Sequence, residues 1–429
     1  MTEVPTFFML LAGVVFLGYM LNALFYKLKI SSVLPLLIIG VLIGPVFHIV
    51  DTSPTSVIVQ ISPFVTAVAI AFVLFDVGMG IRLASLKSIL LKSSKFTIVV
   101  SLLTGAIMSA ILYYTQNWGV LVSLMGGFAV SGTSSIILPS LLRVIKVSGN
   151  LKTSFAYQSV FNDVFSFVVP LIFFNILATG AYSTSFVASE LVRFLVGSII
   201  LGLFFASFWI FILKTFKKYS SEYSWMLTLT MVLAVYGVSE LANFNGALSA
   251  FIFGILLTNI PDMKFVVKSY VRPVINDIAH IKFYQKEITF FVSTFFFVYI
   301  GMLFDTQGVQ YLLVGIVILM AAIMLAVRRF ASGILKGIIS SGRHEKSERV
   351  INVFYIAQGL PPAIIATLPS TIGLTIPNFV NIMFLVILVT NAVLSIGLYK
   401  YAEAFAKESR SGPEKSVLQD KQQLKLPTK

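Results

Sequence analysis

Long, nearly uncharged apolar runs recur from one end of this chain to the other, and they leave it few ways to fold. About twenty apolar residues suffice to cross a bilayer as a helix. Thirteen such segments can be marked, at 6–26, 32–50, 62–81, 97–115, 118–142, 154–177, 186–213, 223–242, 245–259, 287–304, 309–338, 350–372 and 378–401. Only 11% of the 429 residues are charged and 58% are hydrophobic, whereas a soluble domain carries about 25% charged residues. The expectation is an all-α polytopic membrane protein whose domains are bundles of helices. The opening stretch, "MTEVPTFFMLLAGVVFLGYM", holds an acidic residue and no basic lead, so it reads as a first membrane helix rather than a cleavable signal. Cysteine is absent, which excludes disulfides and thiolate chemistry.

The formal net charge of +14 would suit a nucleic-acid binder, but its distribution suits membrane topology. With the N-terminus outside, the loops expected inside carry Lys27 and Lys29, Arg82 to Lys95, Arg143 to Lys152, Lys214 to Lys218, Lys264 to Lys286, and Lys336 to Arg349. The outer loops carry almost none, Arg193 being the exception. By the positive-inside rule this predicts thirteen spans in the cell membrane, N-terminus out and C-terminus cytoplasmic, with membrane lipid as the partner of the basic excess. The segment 260–286 reads as an amphipathic helix on the inner surface, and the polar stretch 403–429 as a disordered cytoplasmic tail.

Ionisable residues deep in the spans are few: Asp76, Asp163, and Arg328 or Arg329. Such groups mark functional sites by default, because hydrocarbon penalises them. Asp163 sits in "QSVFNDVFSFVV", where Ser159, Asn162, Asp163 and Ser166 share one helical face. A polar stripe at that depth must line a cavity or face another helix, and a carboxylate there can hold either a proton or a cation. The three histidines, His48, His280 and His344, fall in loops or at span ends and make no metal site.

Two spans look interrupted. The fifth contains "SGTSSIILPS", with Thr133, Ser134 and Pro139, and the twelfth contains "AQGLPPAIIATLPS", with Gly359 followed by Pro361 and Pro362. Breaks at membrane depth are tolerated only where they are buried in protein or line a cavity. Paired breaks in the two halves point to a transporter binding site where half-helices meet. These features read together as a secondary transporter for a small cation and a proton. There is no GxxxxGK[ST] phosphate loop, so ATP does not drive it, and HExxH and GxSxG are also missing.

The chain resembles the monovalent cation/proton antiporter superfamily over nearly all of residues 1–402. The resemblance rests on "ISSVLPLLIIGVLIGP", "FVLFDVGMGI", "NGALSAFIFGILLTN", "FFFVYIGMLFD" and "GLPPAIIATLP" in this order. "FND" is similar to the Asn–Asp signature of the electroneutral, NhaP-like sodium/proton antiporters of cation/proton antiporter family 1. The resemblance implies that Asp163 alternately binds proton and cation, with Asn162, Ser159, Asp76 and the Thr133 main chain completing the shell, and that Arg328 stabilises the core. It implies an inverted-repeat fold with two discontinuous crossing helices. A core domain, about 90–180 and 306–402, would move against a dimerisation domain, about 1–89 and 181–305, in a homodimer. Two positions depart from the family pattern. Ser134 stands where an Asp often follows the Thr, and Gln158 where a Glu often pairs with the arginine, so Arg328 must take another partner, either a carbonyl or Gln158.

The expected activity is exchange of one monovalent cation for one proton, sodium first with potassium or lithium as alternatives, with no cofactor, nucleotide or nucleic acid. Asn162 adds no second carboxylate, and no lysine lies in the tenth span beyond Lys286, so one-for-one exchange moves no net charge. Rival readings fare worse. An organic-anion carrier would want more basic residues than Arg328 at the crossing, a potassium channel would want a TVGYG-like filter, and an intramembrane protease would have to use Asp76 and Asp163.

Overall fold

The computed structural model describes residues 9, 12–21, 30–51, 56–81, 90–135, 137–147, 149–180, 184–215, 224–260, 268–306, 308, 310–334 and 345–410. Among them every regular element is a helix and there is no strand. In chain order the helices are α1 (Ala12–Leu21), α2 (Val33–Val41), α3 (Val57–Met79), α4 (Leu90–Gln116), α5 (Val120–Ala129), α6 (Ile137–Val144), α7 (Gly149–Thr179) and α8 (Thr184–Thr215). They continue as α9 (Ser224–Leu241), α10 (Gly246–Asn259), α11 (Lys268–Met302), α12 (Tyr311–Ile334), α13 (Glu345–Phe354), α14 (Leu360–Thr371) and α15 (Phe379–Arg410). Among the described residues, six stretches are long and apolar enough on their own to cross a membrane: Val59–Met79, Phe96–Gln116, Ser154–Thr179, Val192–Ile212, Tyr311–Gly333 and Phe379–Glu408. The chain is therefore a multi-pass membrane protein.

Local chemistry accounts for the irregular helices. α2 runs on into a π-helical turn, Leu42–Val46, at Pro45, whose missing N–H opens the ladder. Small residues let backbones touch: a Cβ on Gly40 would lie 2.8 Å from the Gly301 Cα, so α2 and α11 pack main chain to main chain. The two interrupted spans are each two half-helices, α5 with α6 and α13 with α14. Pro361 and Pro362 do not break a helix so much as begin one. They occupy the first turn of α14, where backbone N–H groups have no helical partner anyway.

Two expectations about segments need correction. Residues 268–286 are not a separate surface helix but the start of α11, which runs unbroken for 35 residues. No glycine or proline occurs from Val274 to Ile300 to end it. The helical structure of α15 also persists to Arg410, past the expected start of a disordered tail at 403, and an i,i+4 Glu403–Lys407 pair sits on its exposed face. Residues 411–429 and many of the basic loop residues used to infer orientation lie outside the described residues.

The packing sorts the helices. α4, α5 and α7 pack together with α12, and α12 to α15 pack on one another. On the other side, α3, α8 and α9 pack around α10, and α2 and α3 pack on α11. The two sets meet where α14 lies against α3 and α11, and where α15 meets α2. Small polar groups line this seam. The Thr66 and Thr367 hydroxyls are 3.0 Å apart, and the Ser31 hydroxyl donates to Asn391 at 2.6 Å.

Candidate functional site

The links between α5 and α6 and between α13 and α14 lie against one another within the first helix set. The Ser134 N–H donates to the Ala357 carbonyl at 2.9 Å, and the Tyr355 hydroxyl donates to the Ser134 carbonyl at 2.6 Å. One side chain ties the pair most heavily. The Gln358 amide donates to the Val130 carbonyl at 2.9 Å and the Gly132 carbonyl at 2.8 Å, and the Gln358 carbonyl in turn accepts from Asn391. Carbonyls freed at the end of α5 are thereby occupied within the protein and are not left for an ion.

Four half-helix ends meet here, and the two ionisable groups are sorted among them. Asp163, near the middle of α7, faces Ser135, whose hydroxyl and main chain are its hydrogen-bond partners. The small cavity beside it is also walled by Ser134, Leu360 and Pro361, the residues that lead into α6 and open α14. The carboxylate thus lies at helix N-termini, where the dipole is positive. Arg328, on α12, lies at the opposite ends. Its Nε donates to the Asn352 carbonyl in the last turn of α13 at 3.0 Å, and it lines a second cavity with Val130, Gly132 and Thr133 at the end of α5. One guanidinium N–H donates to the Gln158 side-chain oxygen at 2.9 Å, and the Phe96 and Tyr355 rings flank the group at 5.8 and 5.6 Å. The arginine takes both of the partners left open by the sequence, a carbonyl and Gln158. Arg329 is exposed, so Arg328 is the buried residue of the pair.

The cavity at Asp163 spans the seam. Asp76, Val73 and Thr289 line it from α3 and α11, and Asp163, Ser134 and Pro361 from the other set. Asp76 has Thr289 as a hydrogen-bond partner and feels the charges of Lys282 and Lys286. The cavity is small and partly enclosed. It has room for one water or one small ion. The Ser134 hydroxyl is buried in its wall without a hydrogen-bond partner.

The remaining predicted residues lie elsewhere. Asn162 is buried and turned from the cavity; its amide donates to the Thr133 hydroxyl at 2.6 Å and its oxygen accepts from Ser101 at 2.8 Å. Thr133 lines the cavity of Arg328 rather than that of Asp163. Ser159 is buried too, but its hydroxyl donates to the Ala156 carbonyl of its own helix and it does not line the Asp163 cavity. Pro139 falls inside α6 and Gly359 at the N-cap of α14. Sequence reasoning passed over Ser101, Thr289, Asn352, Tyr355 and Gln358. A lone amide at a helix break was the available signal for Gln358; the others are ordinary polar residues until the fold brings them in.

Gly359 has a steric reason to be glycine: a Cβ there would lie 2.8 Å from the Ser134 Cβ. Overpacking of this kind costs about 1–3 kcal/mol. Gly359→Ala should lower exchange in proteoliposomes about tenfold or more, and Ser134→Gly in the same chain should restore part of it. An alanine variant of wild-type rate would show that the crossing is not held this closely.

A family model described as sodium/hydrogen exchanger, transmembrane, matches residues 12–401. The chain belongs to this exchanger family. The family is one of transporters rather than enzymes. The chain is 23% identical over 374 residues to Na(+)/H(+) antiporter 1 of Methanocaldococcus jannaschii, covering 84% of this chain and 82% of that protein. Its fold is similar to the structure of the sodium proton antiporter MjNhaP1 from that organism at pH 8, with a TM-score of 0.73, 16% identity, and 94% of this chain and 99% of that one covered. An electron-microscopy map of the same antiporter matches with a TM-score of 0.68 and 18% identity, over 96% and 99% of the two chains. As a member of the exchanger family, the chain is an antiporter of sodium and protons in broad class, and its fold is that of these antiporters.

Proposed function

We propose that the protein exchanges one sodium ion for one proton by alternating access, with Asp163 as the shared site. The observation that carries this reading is the ion-sized cavity on the seam, where two carboxylates from different helix sets meet beside the unpartnered Ser134 hydroxyl. Asp163 would release its proton as the cation enters, so occupied carriers differ only in which +1 ion they hold. Asp76, Ser134, Ser135 and Thr289 are the remaining oxygen donors within the same wall.

The set containing α4–α7 and α12–α15 would move as the core, about 90–180 and 306–402. The set containing α1–α3 and α8–α11, about 1–89 and 181–305, would stay and carry the homodimer contact. Helix contacts concentrated within each set, and a seam of small polar groups between them, support this division. Crossing at thirteen spans, with the N-terminus outside and the C-terminus cytoplasmic, fits a cell-membrane exchanger for pH homeostasis.

Competition for a single carboxylate has a definite sign. As pH falls, protons occupy Asp163 and the Michaelis constant for sodium rises, by about tenfold per pH unit on the acid limb. At high pH the proton leg starves and the maximal rate falls instead. Dequenching of a pH-sensitive dye in proteoliposomes, at several sodium concentrations and pH values, measures both limbs. A sodium Michaelis constant indifferent to pH across the acid limb is incompatible with a shared site.

A further inference from the structure

Every arginine is ionised at any pH a cell meets, and a buried one ordinarily faces a carboxylate. Arg328 does not. Its partners are the neutral Gln158 amide, the Asn352 carbonyl and two rings, and among the described residues no carboxylate is within salt-bridge reach of it. The helix ends around it supply partial charges, but each half-helix has two ends of opposite sign, so the dipoles give the moving body no net charge.

The charges at the crossing can therefore be counted. On the core side at membrane depth stand Arg328 at +1 and Asp163. Asp76 is on α3, in the other set, near Lys282 and Lys286, and does not travel with them. Glu348 belongs to the core set but sits near the start of α13, within electrostatic reach of Tyr401, at the end of the helix away from the crossing. With Asp163 empty and ionised, the Arg328–Asp163 sum is zero. With Asp163 protonated or holding sodium, the sum is +1.

We infer that the Gln158–Arg328 pair makes the loaded carrier net positive, so that its reorientation senses the membrane potential although the full cycle moves no net charge. This rests on the one-for-one exchange proposed above. The same +1 body crosses in one direction with sodium and returns with a proton. The two movements cancel over a cycle, yet a potential speeds one and slows the other. At saturating substrate the slowed leg limits, so turnover peaks at one potential and falls on both sides of it. If Arg328 crosses about one fifth of the field, each leg changes roughly twofold per 100 mV.

The test uses the full-length protein in proteoliposomes, with the potential set by a gradient of permeant thiocyanate so that sodium is the only alkali cation. Two quantities are read at each potential: the initial exchange rate, and the sodium gradient that brings proton flux to zero. The expected result is a wild-type rate that varies about twofold per 100 mV, with a zero-flux gradient that ignores potential. Gln158→Glu, which places a carboxylate on the guanidinium, should flatten the rate, and so should Arg328→Gln by removing the charge. Gln158→Asn, which stays neutral, should keep the dependence. A wild-type rate flat in potential, with a one-for-one zero-flux gradient, overturns this inference and leaves the exchange mechanism standing. A zero-flux gradient that shifts with potential overturns the one-for-one reading itself, and the inference with it.

Discussion

Asp163→Asn is expected to reduce sodium-driven proton movement at least a hundredfold while leaving the protein folded. Asparagine has the shape of aspartate, and its side-chain oxygen can still accept from Ser135, the hydrogen-bond partner of the carboxylate. What it cannot do is carry a titratable proton or a formal charge to meet a cation. Asp76 shares the cavity but lies on α3, in the set that would not carry the ion across, and Asn162 is neutral. The measurement is dye dequenching at the wild-type optimum pH, beside a thermal-unfolding scan in detergent that reports folding separately. Exchange within tenfold of wild type in a well-folded variant would remove Asp163 from the mechanism.

Arg328→Ala should be the largest single loss of stability. It deletes the donors to the Gln158 oxygen and the Asn352 carbonyl, both buried, and empties the space between Phe96 and Tyr355. Hydrogen bonds to charged groups are worth about 1.5–3 kcal/mol each in soluble proteins, but interhelical bonds in membranes rarely exceed about 1.7. The membrane value governs here, so two bonds give about 1 kcal/mol on average and at most about 3 kcal/mol. Arg328→Lys keeps the charge but not the planar fork that reaches α7 and α13 at once, so it should recover only part of the loss. Thermal midpoints of the purified variants rank the three. An alanine variant as stable as wild type would mean that the guanidinium contributes no net cohesion to the core.

What could be read from the amino acids alone depended on how local the cause was. The apolar runs, the breaks at Gly132–Ser135 and Gly359–Pro362, and the depth of Asp163 and Arg328 all follow from neighbours in sequence. The family resemblance, in which a Glu often stands at position 158, added that Gln158 or a carbonyl would be the partner of Arg328. The long reach of α11 was missed because basic residues suggested a surface helix, although nothing between Val274 and Ile300 could end it. Partners separated by long stretches of chain could not be found. Ser101 reaches Asn162 across 61 positions and Gln358 reaches Gly132 across 226, and only the crossing of the two interrupted spans brings them together. The helical face that groups Ser159 with Asp163 was also too coarse a guide. A hydroxyl one turn away can satisfy itself on its own backbone, as Ser159 does on Ala156.

The seam between the two helix sets has a bearing on speed. Its described hydrogen bonds include Thr66 with Thr367, Ser31 with Asn391 and Ser395, and Asp305 with Asn381. Contacts of that kind in a bilayer average about 0.6 kcal/mol. Releasing any one of them slows a sliding step by only about threefold, and each hydroxyl can re-form its bond with whatever polar group comes next along the track. A bare ion pair in the same position would hold far harder and slip far more slowly. The surface along which the halves would glide is thus held by several individually weak, exchangeable bonds, and the densest hydrogen bonding lies around the crossing inside the half that would move.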